Sequence, residues 1–133
     1  MERKVEPFVI AEATRMGHIH LSVKDSQQST VFYQEVLELA DKYTIPSASW
    51  IASGDYHHHL AFNEWGGKNL AKRDKDMPGL AYYVVEVANK EDLITIAERA
   101  KNRGAEVKWL SSNALIFEDN DGILTWVRKN INN

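Results

Sequence analysis

The clearest structural pattern in this chain of 133 residues lies in the stretch Met16-Gly17-His18-Ile19-His20-Leu21-Ser22-Val23. Apolar and polar residues alternate along it with period two, which is the pattern of a β-strand with one buried face. Ile19, Leu21 and Val23 share one face of the predicted strand, so the two histidines share the other face with a serine. The strand therefore carries two imidazoles on the side turned away from the core.

A second stretch, Tyr56-His57-His58-His59-Leu60-Ala61-Phe62-Asn63, holds the remaining three of the five histidines. It also alternates, with Leu60 and Phe62 on the packing face, so parity directs His57 and His59 to the opposite face. If the polar faces of the two stretches converge, they line a cavity with imidazoles. Such a cavity suits a divalent metal ion or acid–base chemistry near neutral pH.

Length and composition place the chain among ordinary single-domain globular proteins, with 44% hydrophobic and 26% charged residues. The net charge of −3 gives no electrostatic reason to expect a nucleic acid or an acidic membrane as partner. The absence of cysteine excludes disulfides, thiolate nucleophiles and sulfur-ligated metals. No long apolar run resembles a signal peptide or a membrane span, so we expect a cytoplasmic protein.

The order of predicted elements repeats along the chain. After the first strand a helix begins at Asp25 or Ser26, and strands follow over 39–44, 49–53 and 56–63. The second copy has a strand over 80–87, a helix from Asn89 to Gly104, and strands over 106–110, 114–118 and 123–128.

Each copy thus has one helix that packs on one face of a four-stranded sheet, and the other face must be buried by another part of the protein. We predict an α+β fold in which two βαβββ modules, about 16–63 and 79–128, form a curved mixed-sheet cup with the helices outside. Residues 64–78 form the linker between the modules, and residues 1–15 form an N-terminal arm.

Three segments carry a resemblance to a known family: residues 17–25 (Gly-His-Ile-His-Leu-Ser-Val-Lys-Asp), Phe32-Tyr33 and Val36-Leu37-Glu38-Leu39. With the repeated module, they resemble the vicinal oxygen chelate superfamily over about residues 16–128. That superfamily includes glyoxalase I, the bleomycin and fosfomycin resistance proteins and the extradiol dioxygenases. The segments 17–21, 56–60 and 63–67 are further similar to the C-terminal half of a two-domain catechol 2,3-dioxygenase-like protein.

The resemblance implies four potential ligand positions inside the cup, at His18, His59, Tyr82 and Thr125. Metal-binding members of the family usually carry histidine or glutamine, then glutamate, at the last two positions, where this chain has tyrosine and threonine. The resemblance implies a divalent metal ion (iron, manganese, zinc or nickel) held by His18 and His59. Glu86 shares the face of Tyr82 and is the best substitute carboxylate.

Further site residues follow from parity and from the resemblance. His58 has the wrong parity for the cup, but some extradiol dioxygenases place an acid–base histidine in this stretch, and a bulge would turn it inward. The remaining candidate ligand-binding residues are His57, His20, Tyr82, Thr125, Trp65 and Glu86. For each of these side chains the alternative is structural: a hydrogen-bonded core histidine, a core aromatic, a packing tryptophan or a solvated carboxylate.

Two functions stay open on the sequence. One is a metal-dependent enzyme, dioxygenase-like or glyoxalase-like, acting on a small oxygenated substrate. The alternative is a non-catalytic small-molecule binding protein of the resistance type. Because one chain offers only half of a ligand set, we also predict a homodimer in which a second copy completes the site.

Overall fold

The structure is a computed structural model that describes residues 11–12, 17–67, 70–74 and 76–130. The predicted N-terminal arm therefore lies almost entirely outside the described residues. Within them, no helix is long and apolar enough to cross a membrane.

The described residues form two copies of the same series of elements, which confirms the α+β fold with two βαβββ modules. The first module comprises β1 (Ile19–Ser22), α1 (Ser26–Leu37), β2 (Ala40–Ile45), β3 (Ala48–Ala52) and β4 (Leu60–Asn63). The second comprises β5 (Tyr83–Val87), α2 (Lys90–Asn102), β6 (Val107–Ser111), β7 (Ala114–Glu118) and β8 (Leu124–Lys129).

Each module forms its own four-stranded mixed sheet, in the orders β1-β4-β3-β2 and β5-β8-β7-β6. The pairs β1/β4 and β5/β8 are parallel, and the other neighbours are antiparallel. The edge strands β1 and β5 both line a cavity of about 430 Å³, and a second cavity of about 720 Å³ is lined by the end of β1 and by residues that precede β5.

The two helices begin at side-chain caps. Asp25 accepts a hydrogen bond from the Gln28 backbone N–H ahead of α1, and Asn89 accepts one from the Asp92 N–H ahead of α2. Both helices pack on the same side of the sheets and contact each other. We call the opposite face of each sheet the cup face.

The hydrophobic core is shared by both modules. The Tyr33 ring of α1 stacks on Phe62 of its own sheet at 5.3 Å between centroids. Its neighbour Phe32 contacts Phe117 of β7, in the other module, at 5.8 Å. Burial of each such side chain contributes roughly 1.5–3 kcal/mol, so the core holds the two sheets in one relative position.

A buried polar contact also joins the modules. The Tyr33 hydroxyl donates to Asp119 Oδ2 at 2.6 Å. Asp119 Oδ1 accepts from the backbone N–H groups of Asp121 and Ile123 at 2.8 and 2.9 Å. Burial raises the pKa of the Asp119 carboxyl, and the Tyr33 hydrogen bond offsets part of that rise. Asp119 thus attaches the β7–β8 turn to α1.

We predict that Asp119→Ala lowers the free energy of unfolding by about 2–3 kcal/mol, because it leaves a buried hydroxyl and two backbone N–H groups without their acceptor. Asp119→Asn keeps an amide oxygen that can accept from the two backbone N–H groups, so we expect a smaller decrease in the free energy of unfolding. Urea unfolding of both variants, with Asn120→Ala as the control in the same turn, measures the difference.

The raised pKa of Asp119 makes the free energy of unfolding depend on pH in a predictable direction. Because the pKa of Asp119 is higher in the folded than in the unfolded protein, the folded state holds this proton more tightly. The stability of the parent relative to Asp119→Asn is therefore expected to fall as pH rises through about 4, the unfolded carboxyl value, and to level off above the folded pKa. A relative stability that increases over this range would contradict the assignment.

Candidate functional site

A row of rings crosses the cup face of the first sheet. The strand register aligns His20 with Ala61, Ala61 with Trp50, and Trp50 with Tyr43, so these side chains share one face. The His20 and Trp50 rings lie 6.3 Å apart, and the Trp50 and Tyr43 rings lie 5.4 Å apart. The predicted cup-face position of His20 agrees with this placement.

Trp65 lies over the same row. Its ring centroid is 5.4 Å from that of His20, and 65% of its surface is exposed. The Trp65 backbone N–H donates to Oδ1 of the buried Asn63, the last residue of β4. The loop after β4 therefore presents an open indole beside His20, and the structure brings these two predicted ligand-binding residues together.

The histidine run 57–59 does not follow strand parity. Since β4 begins only at Leu60, these residues precede the strand and are free of its alternation. The His58 ring lies 4.2 Å from His18, and His57 lies 6.2 Å from His18. The Nδ1 atoms of His57 and His58 are 2.7 Å apart. His18, His57 and His58 thus form a cluster at the start of β1, and His58 reaches it without a bulge within β4.

His59, predicted as the partner of His18, has other contacts. Its Nδ1 accepts from the Ser53 backbone N–H at 3.2 Å, and its ring stacks on Tyr56 at 4.7 Å. His59, His18 and Glu86 all line the cavity of about 430 Å³ between β1 and β5. Glu86 is the only carboxylate among the described lining residues of this cavity, and it lies 3.7 Å from the Arg128 guanidinium.

The second module differs from prediction at Thr125. The register pairs Thr125 with the core residue Tyr83, and Thr125 is fully buried with its hydroxyl 3.5 Å from that of Tyr33. It therefore faces the helices, opposite to the predicted direction. Its neighbour Trp126 has the cup-face parity instead, and Tyr82 packs against that indole at 5.2 Å.

The sequence-based prediction did not include Trp126 among the site residues, although the alternation of the strand places it on the cup face. Val127 is an evident core residue near the end of a period-two strand, and counting back one position places Trp126 on the opposite face. The cup-face residues of β8 are thus Leu124, Trp126 and Arg128.

The donor set does not fit a divalent metal ion. A two-histidine, one-carboxylate site needs three ligands converging on one point, and the described residues contain no group of three histidine, aspartate or glutamate side chains in that arrangement. One nitrogen of His59 is already hydrogen bonded, Tyr82 lies against Trp126, and β8 presents no carboxylate on the cup face.

Comparison with known proteins gives a family match over most of the chain. The model of the Glyoxalase/Bleomycin resistance protein/Dioxygenase superfamily matches residues 15–127. A catechol-2,3-dioxygenase of Bacillus subtilis (strain 168) is 36% identical over 97 residues, which are 71% of this chain and 34% of that protein. The chain therefore spans about a third of the length of this relative.

Solved structures share the fold at lower identity. A glyoxylase/bleomycin resistance protein/dioxygenase domain from Frankia sp. EAN1pec has a TM-score of 0.70 at 21% identity, over 89% of this chain and 98% of that one. The fosfomycin resistance protein FosX from Listeria monocytogenes has a TM-score of 0.66 at 18% identity, over 89% and 93%.

The histidine cluster predicts a specific titration. Burial, and after it the neighbouring His18 imidazole, lower the pKa of His58 from its usual value. We expect His58 to titrate below ~6.5, the unperturbed histidine value, and His18→Ala to move its pKa back toward that value. An NMR titration of the imidazole signals measures this, with His20→Ala as the control that moves the His58 pKa less. A His58 signal that titrates above ~6.5 would contradict the assignment.

Proposed function

The chain belongs to the Glyoxalase/Bleomycin resistance protein/Dioxygenase superfamily, and from this premise we propose that its cup binds a small oxygenated molecule. The observation that carries the proposal is the row of rings on the first sheet, with the Trp65 indole exposed beside His20. Exposed aromatic side chains in a concave site supply stacking area for a ligand, and a few polar groups then fix its orientation.

The imidazoles supply the polar chemistry of the proposed site. A histidine whose pKa is lowered is neutral at pH 7, so one of its ring nitrogens carries a lone pair that can accept a proton or a hydrogen bond. His58 is in this state, since burial and His18 lower its pKa. We therefore assign His58 the role of proton acceptor, with His57 and His18 as the groups that hold it in place.

A metal-dependent enzyme, dioxygenase-like or glyoxalase-like, is the second candidate function. The identity of 36% to a catechol-2,3-dioxygenase favours it, as does the presence of His18, His59 and Glu86 around one cavity. This candidate needs ligands beyond those that the described residues bring together, so we rank it below the binding function.

Catechol is a suitable probe for both candidates. We expect it to bind, with Trp65→Ala and His20→Ala each weakening binding about tenfold, or ~1.4 kcal/mol, because they remove the exposed ring and its neighbour. Ile94→Ala, on the outer face of α2, is the matched control and is expected to bind as the parent does.

Isothermal titration calorimetry with and without EDTA separates the candidates. Affinity that is unchanged by EDTA supports the binding function. Affinity that requires added Fe²⁺ or Mn²⁺, and that is lost in His18→Ala and His59→Ala, favours the metal-dependent enzyme. Equal affinity of the parent, Trp65→Ala and His20→Ala would contradict the proposed site.

The predicted homodimer stays a proposal, supported by apolar side chains on the outer strand of the second sheet. Trp109 and Leu110 of β6 are 39% and 43% exposed on a strand that is paired on one side only. We expect a dimer in sedimentation at tens of micromolar, and its dissociation in Leu110→Lys but not in Ile94→Lys. A strict monomer at that concentration would contradict the proposal.

A further inference from the structure

Trp126 lies in the middle of β8, on the cup face of the second sheet. The register aligns it with Val84 on one side and with Ile116 on the other. Its chain neighbours Thr125 and Val127 are fully buried on the helix side, so alternation directs the indole away from the core. The second module thus contributes a large aromatic side chain to the cup.

The indole N–H of Trp126 is an unused donor. Its Nε1 atom is buried and has no hydrogen-bond partner among the described residues. An indole N–H can only donate, and buried tryptophan N–H groups usually find an acceptor. A buried hydrogen bond of this kind that is not made destabilises the protein, and a ligand oxygen that accepts from the indole N–H would remove this penalty.

The Tyr83 hydroxyl is a second buried group without a hydrogen-bond partner, but it lies on a different face of the sheet from Trp126. Tyr83 is paired in register with Thr125 on the core face. Tyr83 lines the cavity of about 430 Å³ between β1 and β5, whereas the Trp126 side chain lies on the cup face. Of these two orphaned groups, only the Trp126 N–H lies on the cup face, where the proposed ligand binds.

Tyr82 is the side chain that packs on this indole. The two ring centroids are 5.2 Å apart with the planes inclined at 47°. Tyr82 precedes β5, outside the strand ladder, and 44% of its surface is exposed. An exposed ring outside regular structure can rotate away without disturbing the core.

We infer that the Trp126 indole N–H is the cup's hydrogen-bond donor for a ligand oxygen, and that the Tyr82 ring covers it until the ligand displaces that ring. The inference rests on the proposed binding function and defines the ligand class. The ligand is a planar conjugated molecule with a phenolic or carbonyl oxygen. Its ring stacks among the cup aromatics, and its oxygen accepts from Trp126.

The four tryptophan indoles permit a direct test by ¹⁵N NMR, with the Trp126 signal identified by its absence in Trp126→Phe. Catechol is expected to shift the Trp126 indole proton downfield, whereas toluene, which has no oxygen, is expected to leave it in place. Trp126→Phe is expected to bind catechol about tenfold more weakly, whereas Ile94→Ala, on the outer face of α2, is expected to bind it as the parent does.

Hydrogen exchange of the same indole tests the cover without any ligand. Tyr82→Ala is expected to speed exchange of the Trp126 N–H at least tenfold. Tyr82→Phe is expected to leave it unchanged, because the ring and not the hydroxyl covers the donor. This hydrogen-exchange experiment remains informative even if Trp126→Phe does not fold, because it uses only the Tyr82 variants and the parent. Equal exchange rates of the Trp126 indole N–H in Tyr82→Ala and in the parent would contradict the proposal that the Tyr82 ring covers this group.

The outcomes separate this inference from the function on which it rests. Catechol that shifts the Trp65 indole but not that of Trp126, or Trp126→Phe that binds as the parent does, overturns the donor role and leaves the binding function standing. Catechol at millimolar concentration that shifts no indole overturns both.

Discussion

The contact between Tyr33 and Asp119 is the constraint on which the cup depends. Tyr33 belongs to the first module and Asp119 to the second, and their 2.6 Å hydrogen bond is buried beside the contact of Phe32 with Phe117. The edge strands β1 and β5 belong to separate sheets, so the shared core sets the distance between the two cup faces. The row of rings and Trp126 lie on the cup faces of different modules, so their relative position depends on this core.

The two modules contribute different chemistry to the same cup. The first supplies an imidazole cluster at the start of β1 and the row that includes His20 and Trp50. The second supplies a tryptophan donor under a tyrosine ring, next to the two positions, Tyr82 and Thr125, where the family resemblance implies potential ligands. A chain with the family's duplicated fold can thus retain the binding cavity while the donors around it change, since fold does not determine function.

The fold and half of the site were predictable from sequence because β1 is a regular strand. Its alternation correctly places His20 on the cup face and Leu21 in the core. Alternation fails for the run 57–59, because those residues precede β4 and their directions depend on tertiary contacts such as that of His58 with His18. Thr125 was misplaced by one residue, which reverses the face in a strand.

A crystal structure of the chain grown with catechol tests the proposed ligand site most directly, because it shows where the ligand lies. We expect the catechol ring on the cup face between Trp65 and Trp126, with a hydroxyl oxygen at about 2.9–3.0 Å from the indole Nε1 and the Tyr82 ring rotated away. Catechol bound only outside the cup, with the Tyr82 and Trp126 rings still in contact, would contradict the proposed site.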